Sequence, residues 1–194
     1  IEIPYTGYAL ESDKDSVTVA EISSFQLETM VTFKPHVTAI LNITPDHLDR
    51  HKTLENYIAI KESITKNQDE NDFCVLNYND PVLREFGKTP RCKVIFFSSS
   101  EELESGVFLR GDTMIIKENG VETPVCTTKD TSLVGMHNYE NIMAAIAMTH
   151  AMGVPLDTIR QGIKEFTAVE HRIEFVAEKN GVKYYNCLLY TSPS

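Results

Sequence analysis

Carboxylate, hydroxyl and imidazole side chains follow two of the apolar runs in this chain. Glu21 and Ser23 come at the end of the first run, and Asp46 and His47 come shortly after the second, which spans residues 37–41. Ligands of an open parallel sheet gather beyond the carboxyl ends of its strands. A carboxylate beside hydroxyl groups and a helix N-terminus suits a magnesium ion that is bound together with phosphate oxygens. The pattern therefore indicates metal–phosphate chemistry.

The same residues also have structural explanations, which the pattern alone leaves open. Glu21 could be a solvated charge at a strand end, and Ser23 and Ser24 could cap the helix that follows them. Thr44 could be a helix N-cap with Pro45 as the first helical residue, followed by an acid that complements the helix dipole. These explanations involve no ligand.

A zinc site is a further possibility. His47 and His51 are four residues apart and could lie on one helix face, with Asp46 beside them. A metal-dependent hydrolase would use such a set. The His-Glu-x-x-His pattern that is typical of zinc hydrolases does not occur in this sequence.

Alternating strand and helix patterns surround these residues and predict a largely parallel sheet with helices on its faces. We predict strands at residues 16–22, 37–41, 73–76 and 94–97, and helices after Ser23–Ser24, from Thr44–Pro45, over about 54–66 and from Asp80–Pro81.

The second half of the chain has a different pattern, with shorter strands and two long helices. We predict an antiparallel meander at 107–109, 114–116 and 121–125 with a turn at Asn119–Gly120, helices at 136–152 and 155–166, and a hairpin at 173–177 and 182–185. In the second helix the residues Leu156, Ile159 and Ile163 share one face.

Composition excludes several classes of function. The 194 residues carry 28 acidic and 18 basic side chains, a formal net charge of −10, which argues against nucleic-acid or anionic-membrane binding and favours small-molecule partners. With 42% hydrophobic residues the chain can bury a sizeable core. The cysteines Cys74, Cys92, Cys126 and Cys187 form no CxxC pair, so we expect reduced, mostly buried thiols in a cytoplasmic protein.

Several motifs occur in one order along nearly the whole chain. They are Glu21-Ile-Ser-Ser-Phe-Gln-Leu-Glu28, Asn42-Ile-Thr-Pro-Asp-His-Leu-Asp-Arg-His51, Tyr57-Ile-Ala-Ile-Lys61, Gly135-Met-His-Asn-Tyr-Glu-Asn141 and His171-Arg172. In this order and spacing they resemble the bacterial Mur ligases, and Ser-Ser-Phe-Gln resembles the branch that adds D-glutamate. The resemblance implies an α/β fold. It comprises a mostly parallel sheet flanked by helices, a small antiparallel meander, and the truncated start of a C-terminal Rossmann-like domain.

The resemblance also implies an activity. Members of this branch are ATP-dependent amide-forming ligases of peptidoglycan synthesis, with UDP-N-acetylmuramoyl-L-alanine and D-glutamate as substrates and an acyl phosphate as intermediate. The implied cofactors are ATP and Mg²⁺. We expect a cytoplasmic enzyme that is monomeric when intact, with no nucleic-acid or membrane partner. The nearest rival is another amide ligase of the superfamily, such as the folate-polyglutamating type, against which Ser-Ser-Phe-Gln argues.

By the same resemblance, Glu21, His47 and Lys61 would bind magnesium, and His47 and Lys61 would be catalytic. Lys61 would be carbamylated, which converts a cation into an anionic oxygen donor that magnesium prefers. Ser23 would lie near the metal and the phosphates. The sequence alone favours an exposed helix charge beside Glu62 as the explanation of Lys61.

The nucleotide side of the implied site includes Asn138, Asn141 and Arg172. The two asparagines would hold the adenine end of ATP, and the Arg172 guanidinium would approach the phosphates. The structural alternatives are an ordinary helix turn for the asparagines and a surface pair with Glu174 for Arg172.

The chain departs from the family pattern at both ends. It contains no Gly-x-x-x-x-Gly-Lys-[Ser/Thr] loop, and after Asn186 the residues Cys187 to Ser194 stand where the family has Asp-Ser-Lys. We expect a central domain at residues 1–168 without its phosphate loop, the start of a C-terminal domain at 169–186, and a non-native tail at 187–194. A chain without the phosphate loop is expected to lack ligase activity by itself.

Overall fold

The computed structural model describes residues 5–8, 10–167 and 174–186. These divide into two compact units, one of Ile1–Phe33 with Pro45–Ile64 and the other of Lys34–Thr44 with Thr65–Ser194. We call them the helical unit and the sheet unit. The metal-binding residues predicted from the sequence lie in the helical unit, and the predicted adenine-binding asparagines lie in the sheet unit.

The described part of the helical unit consists of short helices and 3-10 turns joined by irregular segments. Its elements are a 3-10 turn at Tyr5–Gly7, α1 at Ser24–Leu27, α2 at Leu48–His51, α3 at Leu54–Glu62 and a 3-10 turn at Ser63–Thr65, which runs on into the sheet unit. Helices α1 and α2 both pack against α3. Ser23 caps α1 and Thr53 caps α3, each by accepting a backbone N–H three residues on. The helices predicted after Ser23–Ser24 and near residue 54 are therefore confirmed.

One predicted element of this unit is wrong. Residues 16–22 were expected to form a buried strand, but they form no helix or strand, and Val17 and Val19 are 69% and 88% exposed. A strand needs a neighbour that satisfies its backbone N–H and C=O groups. No described strand pairs with these residues. Their β-branched side chains cannot replace that partner.

The predicted helix start at Thr44–Pro45 is also wrong. Residues 41–47 form no helix, and α2 begins at Leu48 with His47 as its N-cap. The Thr44 hydroxyl donates to Asn42 Oδ1 at 2.9 Å instead of accepting a backbone N–H. Such local side-chain hydrogen bonds compete with helix capping.

The sheet unit is built on one six-stranded mixed sheet. Its strands are β1 Val37–Ile40, β2 Phe73–Asn77, β3 Lys93–Ser98, β4 Gly106–Arg110, β5 Thr113–Glu118 and β6 Val121–Thr127, in this spatial order. Strands β1 to β4 are parallel, and β5 and β6 continue the same sheet antiparallel. The predicted fold is confirmed, with the refinement that the meander extends the parallel sheet.

Three helices complete this unit: α4 Pro81–Phe86, α5 Met136–Ala151 and α6 Leu156–Glu165. Helix α5 crosses β1 to β4 and buries Met143 and Ile146 completely, and α6 packs on α5 and β6. Ile159 of α6 is buried, and Leu156 and Ile163 pack beside it, as their spacing predicts. The sequence predicted all three helices and the Asp80–Pro81 start of α4, where Asp80 accepts two backbone N–H groups.

Two hairpin turns match the sequence signals. Asn119 and Gly120 join β5 to β6 with φ of 52° and 79°, and Asn180 and Gly181 join β7 Glu174–Lys179 to β8 Val182–Asn186 with φ of 53° and 77°. Asn-Gly favours such turns because both positions need positive φ.

The described cysteines are free and buried, as expected: Cys74, Cys92 and Cys126. Burial raises the pKa of the Cys126 thiol to about 11. Cys187 lies outside the described residues. Among the helices that the structure describes, none combines the length and apolar character needed to cross a bilayer.

Candidate functional site

Glu21 is exposed and stands in the segment without helix or strand that leads into α1. Its carboxylate makes no hydrogen bond or ion pair with any described residue, and it lies two positions before the N-cap Ser23. A carboxylate that is both exposed and unpaired within the described chain can accept a ligand without breaking an internal contact.

The Ser23 side chain is a helix cap. Its Oγ accepts the Gln26 backbone N–H at 3.3 Å and lies 3.0 Å from Gln26 Oε1, which in turn accepts the Ser23 backbone N–H at 2.8 Å. This reciprocal arrangement is a capping box. The structural explanation for Ser23 that the sequence left open is therefore confirmed.

His47 adopts an uncommon backbone conformation. It is the N-cap of α2 with φ 52° and ψ 32°, in the left-handed region, which costs a non-glycine residue roughly 1–3 kcal/mol. Asp46 faces it on two sides: its Oδ1 accepts the His47 backbone N–H at 2.8 Å, and its Oδ2 lies 3.5 Å from His47 Nε2. Half of the His47 side chain is exposed. The imidazole is thus accessible and lies beside a carboxylate.

Lys61 lies one turn after Tyr57 in the last part of α3. Its Nζ is 5.1 Å from the centroid of the Tyr57 ring, which is buried. Lys61 is partly buried.

His51 does not share the accessible character of His47. Its ring is buried, and its Nε2 lies 3.0 Å from the Ser24 hydroxyl. The Phe25 ring stacks on it with a centroid distance of 5.5 Å. The zinc hypothesis requires both His47 and His51 to be accessible to a metal ion, and His51 is not. In the part of the chain that the structure describes, no three His, Cys, Asp or Glu side chains form a group that could hold a metal ion.

The predicted adenine-binding residues begin helix α5. The Asn138 side chain donates to the Val134 carbonyl at 2.8 Å, closing the first turn after Gly135, whose φ is 103°. Asn141 is exposed and borders an apolar cavity of about 380 Å³ between α5 and α6. Arg172 lies outside the described residues.

A polar network at the carboxyl ends of β2 and β3 was not predicted from the sequence. Glu140 Oε1 accepts hydrogen bonds from Ser99 Oγ at 2.5 Å and from Asn79 Nδ2 at 3.1 Å. Asn79 Oδ1 accepts the hydroxyls of Ser98 and Ser100 at 2.7 and 2.9 Å. The network ties the first turns of α5 to the sheet edge. The only sequence signal for it was the run of three serines after a predicted strand.

The mixed sheet of the sheet unit, crossed by helix α5, defines an α/β fold. A family model described as the Mur ligase middle domain matches residues 1–149. The chain belongs to the Mur ligase family.

Among curated proteins, the chain is 51% identical over 193 residues to the UDP-N-acetylmuramoylalanine--D-glutamate ligase of Lachnoclostridium phytofermentans, covering 100% of this chain and 42% of that protein. It is 45% identical over 193 residues to the ligase of the same name from Thermoanaerobacter sp., with the same coverage. The chain thus spans about two fifths of the length of the curated relatives that it matches.

Solved structures of the family share the fold at lower identity. MurC from Thermotoga maritima matches with a TM-score of 0.61 and 20% identity, over 87% of this chain and 37% of that one. MurF from Acinetobacter baumannii matches with a TM-score of 0.59 and 20% identity, over 81% and 35%. MurF from T. maritima, solved in complex with ADP, matches with a TM-score of 0.54 and 21% identity, over 78% of this chain and 35% of that one.

Proposed function

We propose that this chain is part of an ATP-dependent ligase that joins D-glutamate to UDP-N-acetylmuramoyl-L-alanine in peptidoglycan synthesis. The observation that carries the proposal is the 51% identity over 193 residues to a ligase of that name. The motif Ser-Ser-Phe-Gln at residues 23–26, which distinguishes the D-glutamate-adding branch, supports the same choice. We further propose that the intact enzyme is a cytoplasmic monomer.

Two of the three side chains proposed to hold magnesium, Glu21 and a carbamylated Lys61, would offer oxygen donors, and His47 would offer a nitrogen. Glu21 is an exposed carboxylate without a partner among the described residues, and the His47 ring is half-exposed beside Asp46. Carbamylation of Lys61 would add an anionic oxygen donor. Oxygen donors are those that magnesium prefers. These three residues would hold the ion, and the Ser23 hydroxyl would lie beside its phosphate ligands.

In the proposed reaction the carboxylate of UDP-N-acetylmuramoyl-L-alanine takes the γ-phosphoryl group of ATP and ADP leaves. The D-glutamate amine then attacks the acyl phosphate, the amide bond forms, and phosphate leaves. Bound magnesium supplies positive charge that neutralises the phosphate oxygens. This protein's side chains position the reactants: Glu21, His47 and Lys61 on the metal side, and Asn138 and Asn141 at the adenine. Arg172 would contact the phosphates.

We also propose that the chain passes from one domain to another near residue 168. Strands β7 and β8 pair with each other and with no strand of the six-stranded sheet in the described chain. Their hairpin would open the C-terminal domain over residues 169–186.

A chimaera tests the proposed function directly. Residues 1–186 replace the corresponding segment of the L. phytofermentans ligase, which supplies the remaining length. We expect phosphate release from ATP that requires both UDP-N-acetylmuramoyl-L-alanine and D-glutamate. Glu21→Gln should abolish it, and Glu70→Gln, an exposed carboxylate with no hydrogen bond or ion pair to the described residues, should not.

Two results would contradict the proposal. One is a folded chimaera, judged by its cooperative thermal unfolding, that releases no phosphate with both substrates present. The other is release with a folate or with other amino acids in place of D-glutamate, which would favour another amide ligase of the superfamily. Zinc-stimulated hydrolysis without ATP would favour the hydrolase alternative.

A further inference from the structure

A buried hydrogen bond joins the first helix of the helical unit to the second. Ser24, at the start of α1, and His51, at the end of α2, are 27 positions apart in the chain, and Ser24 Oγ lies 3.0 Å from His51 Nε2. The two residues are 5% and 4% exposed. Because water cannot replace either partner at this depth, the bond fixes α1 and α2 to each other at one point.

The second nitrogen of the His51 ring faces a carboxylate. His51 Nδ1 lies 3.4 Å from Glu28 Oε1, in an orientation that does not make a full hydrogen bond, and it has no other partner in the described chain. Glu28 is held by Arg50, whose Nη2 and Nε lie 2.6 and 3.3 Å from its two oxygens. These bonds hold the pKa of Glu28 below its usual range, so it remains an ionised acceptor.

The position of Glu28 favours one tautomer of a neutral His51 ring. A carboxylate can only accept, so the proton of a neutral ring belongs on Nδ1, where it faces Glu28. Nε2 is then the acceptor and the Ser24 hydroxyl is the donor. Polar contacts thus run from Ser24 in α1 to His51 in α2. They continue to Glu28 at the end of α1 and then to Arg50 in α2.

Serine, histidine and carboxylate in this order also occur in nucleophilic hydrolases. Here the burial of both Ser24 and His51 argues for a different role, since a nucleophile must reach its substrate. The contacts act on neighbouring residues instead. The Phe25 ring lies between the two histidines, 5.5 Å from His51 and 4.9 Å from His47, with Arg50 5.4 Å above it.

We propose that His51 is a positioning residue for the metal side of the site. Through its hydrogen bond to Ser24 and its stacking on Phe25, it fixes the position of His47 and of the Ser23 end of α1. The inference rests on the proposed function, because His47 matters to catalysis only in a metal-dependent ligase. Phe25 transmits the position of one histidine to the other, and the bond to Ser24 fixes α1 next to the cap that follows Glu21. Some residues orient metal ligands from outside the coordination sphere. Their removal commonly lowers metal affinity or activity about 10- to 100-fold.

The first test measures the tautomer in the 194-residue chain itself. Nitrogen-15 chemical shifts of the His51 ring, assigned by comparison with His51→Gln, should show a protonated Nδ1 and an acceptor Nε2. In Ser24→Ala the hydroxyl that bonds to Nε2 is removed. The nitrogen-15 chemical shift of Nε2 should therefore move toward that of an unprotonated ring nitrogen that accepts no hydrogen bond. A ring protonated on Nε2, or one averaging rapidly between tautomers, would overturn the proposed contacts whatever the chain catalyses.

The second test measures metal binding and turnover in the chimaera. In His51→Phe, which keeps the ring stacking and removes both nitrogens, we expect Mn²⁺ affinity in the presence of ADP to fall about 10- to 100-fold, by electron paramagnetic resonance. The kcat should fall in parallel, with little change in KM for D-glutamate. His51→Gln, which can still accept from Ser24, should recover part of both losses. His150→Gln, at the far end of α5, is the matched control and should change neither.

A double variant separates the Ser24–His51 bond from general damage. Ser24→Ala with His51→Phe should lose no more Mn²⁺ affinity than His51→Phe alone, because the two residues share one interaction. Additive losses would contradict the proposal, as would His51 variants that behave like His150→Gln in an active chimaera. An inactive unsubstituted chimaera would instead count against the proposed function, and the tautomer measurement would still decide the contacts of His51.

Discussion

Asn79 and Glu140 are 61 positions apart in the chain, and the Asn79 side-chain amide donates to the Glu140 carboxylate at 3.1 Å. Asn79 follows β2, and Glu140 lies in the second turn of α5. The bond therefore joins the carboxyl edge of the sheet to the helix that carries both asparagines proposed to hold adenine. The Ser99 hydroxyl shares the same Glu140 oxygen at 2.5 Å.

Removing the Glu140 carboxylate should destabilise the sheet unit. In Glu140→Ala the partly buried Asn79 amide and Ser99 hydroxyl lose their shared acceptor, at a cost of about 1–3 kcal/mol in the free energy of unfolding. Glu140→Gln retains an acceptor oxygen and should cost less than about 1 kcal/mol. Urea unfolding measures both. Equal losses in the two variants would show that the side chain acts through packing.

The double variant Ser99→Ala with Glu140→Ala is the control for that prediction. Because both single substitutions break the same hydrogen bond, the double variant should be more stable than the sum of the two losses implies. Strict additivity would mean that the 2.5 Å contact contributes nothing to stability.

Lys61 should be required for phosphoryl transfer because its amine can be carbamylated, and not because it carries a positive charge. In the chimaera, Lys61→Arg keeps a cation but cannot be carbamylated, so we expect a loss of kcat of about 10²-fold or more, as for other groups that act on the transition state. Carbamylation should appear as added mass on the peptide containing Lys61 when bicarbonate is present, and short carboxylic acids should partly restore a Lys61→Ala variant. Full activity in Lys61→Arg would contradict the proposed metal ligand.

The matched control for Lys61 is Lys66→Arg, which makes the same change at an exposed position just after the 3-10 turn. It should leave kcat and the thermal unfolding temperature unchanged. A loss of activity there equal to that in Lys61→Arg would point to a general effect of arginine.

Gly106 should not tolerate a side chain. It opens β4 with φ of 126°, and a Cβ built on it would overlap the Phe96 carbonyl oxygen on the neighbouring strand. We expect Gly106→Ala to lower the free energy of unfolding by roughly 3 kcal/mol or more, since both strain and overlap act. Gly111→Ala is the control. Its φ is 62° but no atom lies within 4 Å of the added Cβ, so it should lose only about 1 kcal/mol.

The ion pair of Lys34 with Asp69 should make stability depend on pH at the acidic end. The hydrogen bond from Lys34, 2.5 Å long, lowers the pKa of Asp69 from 3.8 to about 2. A carboxyl with a lowered folded-state pKa stabilises the fold above its unfolded value, and this contribution is lost as the pH falls from about 4 through 2. Asp69→Asn should therefore be less stable than the parent at pH 7.

The difference between Asp69→Asn and the parent should shrink as the pH falls through that window and should be smallest near pH 2. Chemical unfolding at a series of pH values measures it. Glu70→Gln, next in sequence and without a hydrogen bond or ion pair to the described residues, should show no such convergence. A constant difference for Asp69→Asn across the window would show that its side chain acts through hydrogen bonding alone.

Local elements were predictable because their signals lie within a few residues. Asp80 before Pro81 marks a helix start, Asn119–Gly120 marks a turn with two positive φ values, and Ser23 before α1 marks a helix cap. Each signal lies within three residues of the feature that it marks, and each feature stands in the structure where the sequence placed it.

Contacts between distant parts of the chain were decided by the tertiary structure alone. Residues 16–22 have the composition of a strand but no described neighbour to pair with, so they remain exposed. His51 looked like a partner for His47, but packing against Phe25 and Tyr57 buried it and turned it toward Ser24. Composition determines what a segment can do, and burial and hydrogen-bond partners from elsewhere in the chain determine what it does. The motifs thus identified the family by themselves, whereas the different surroundings of His47 and His51 emerged only in the folded chain.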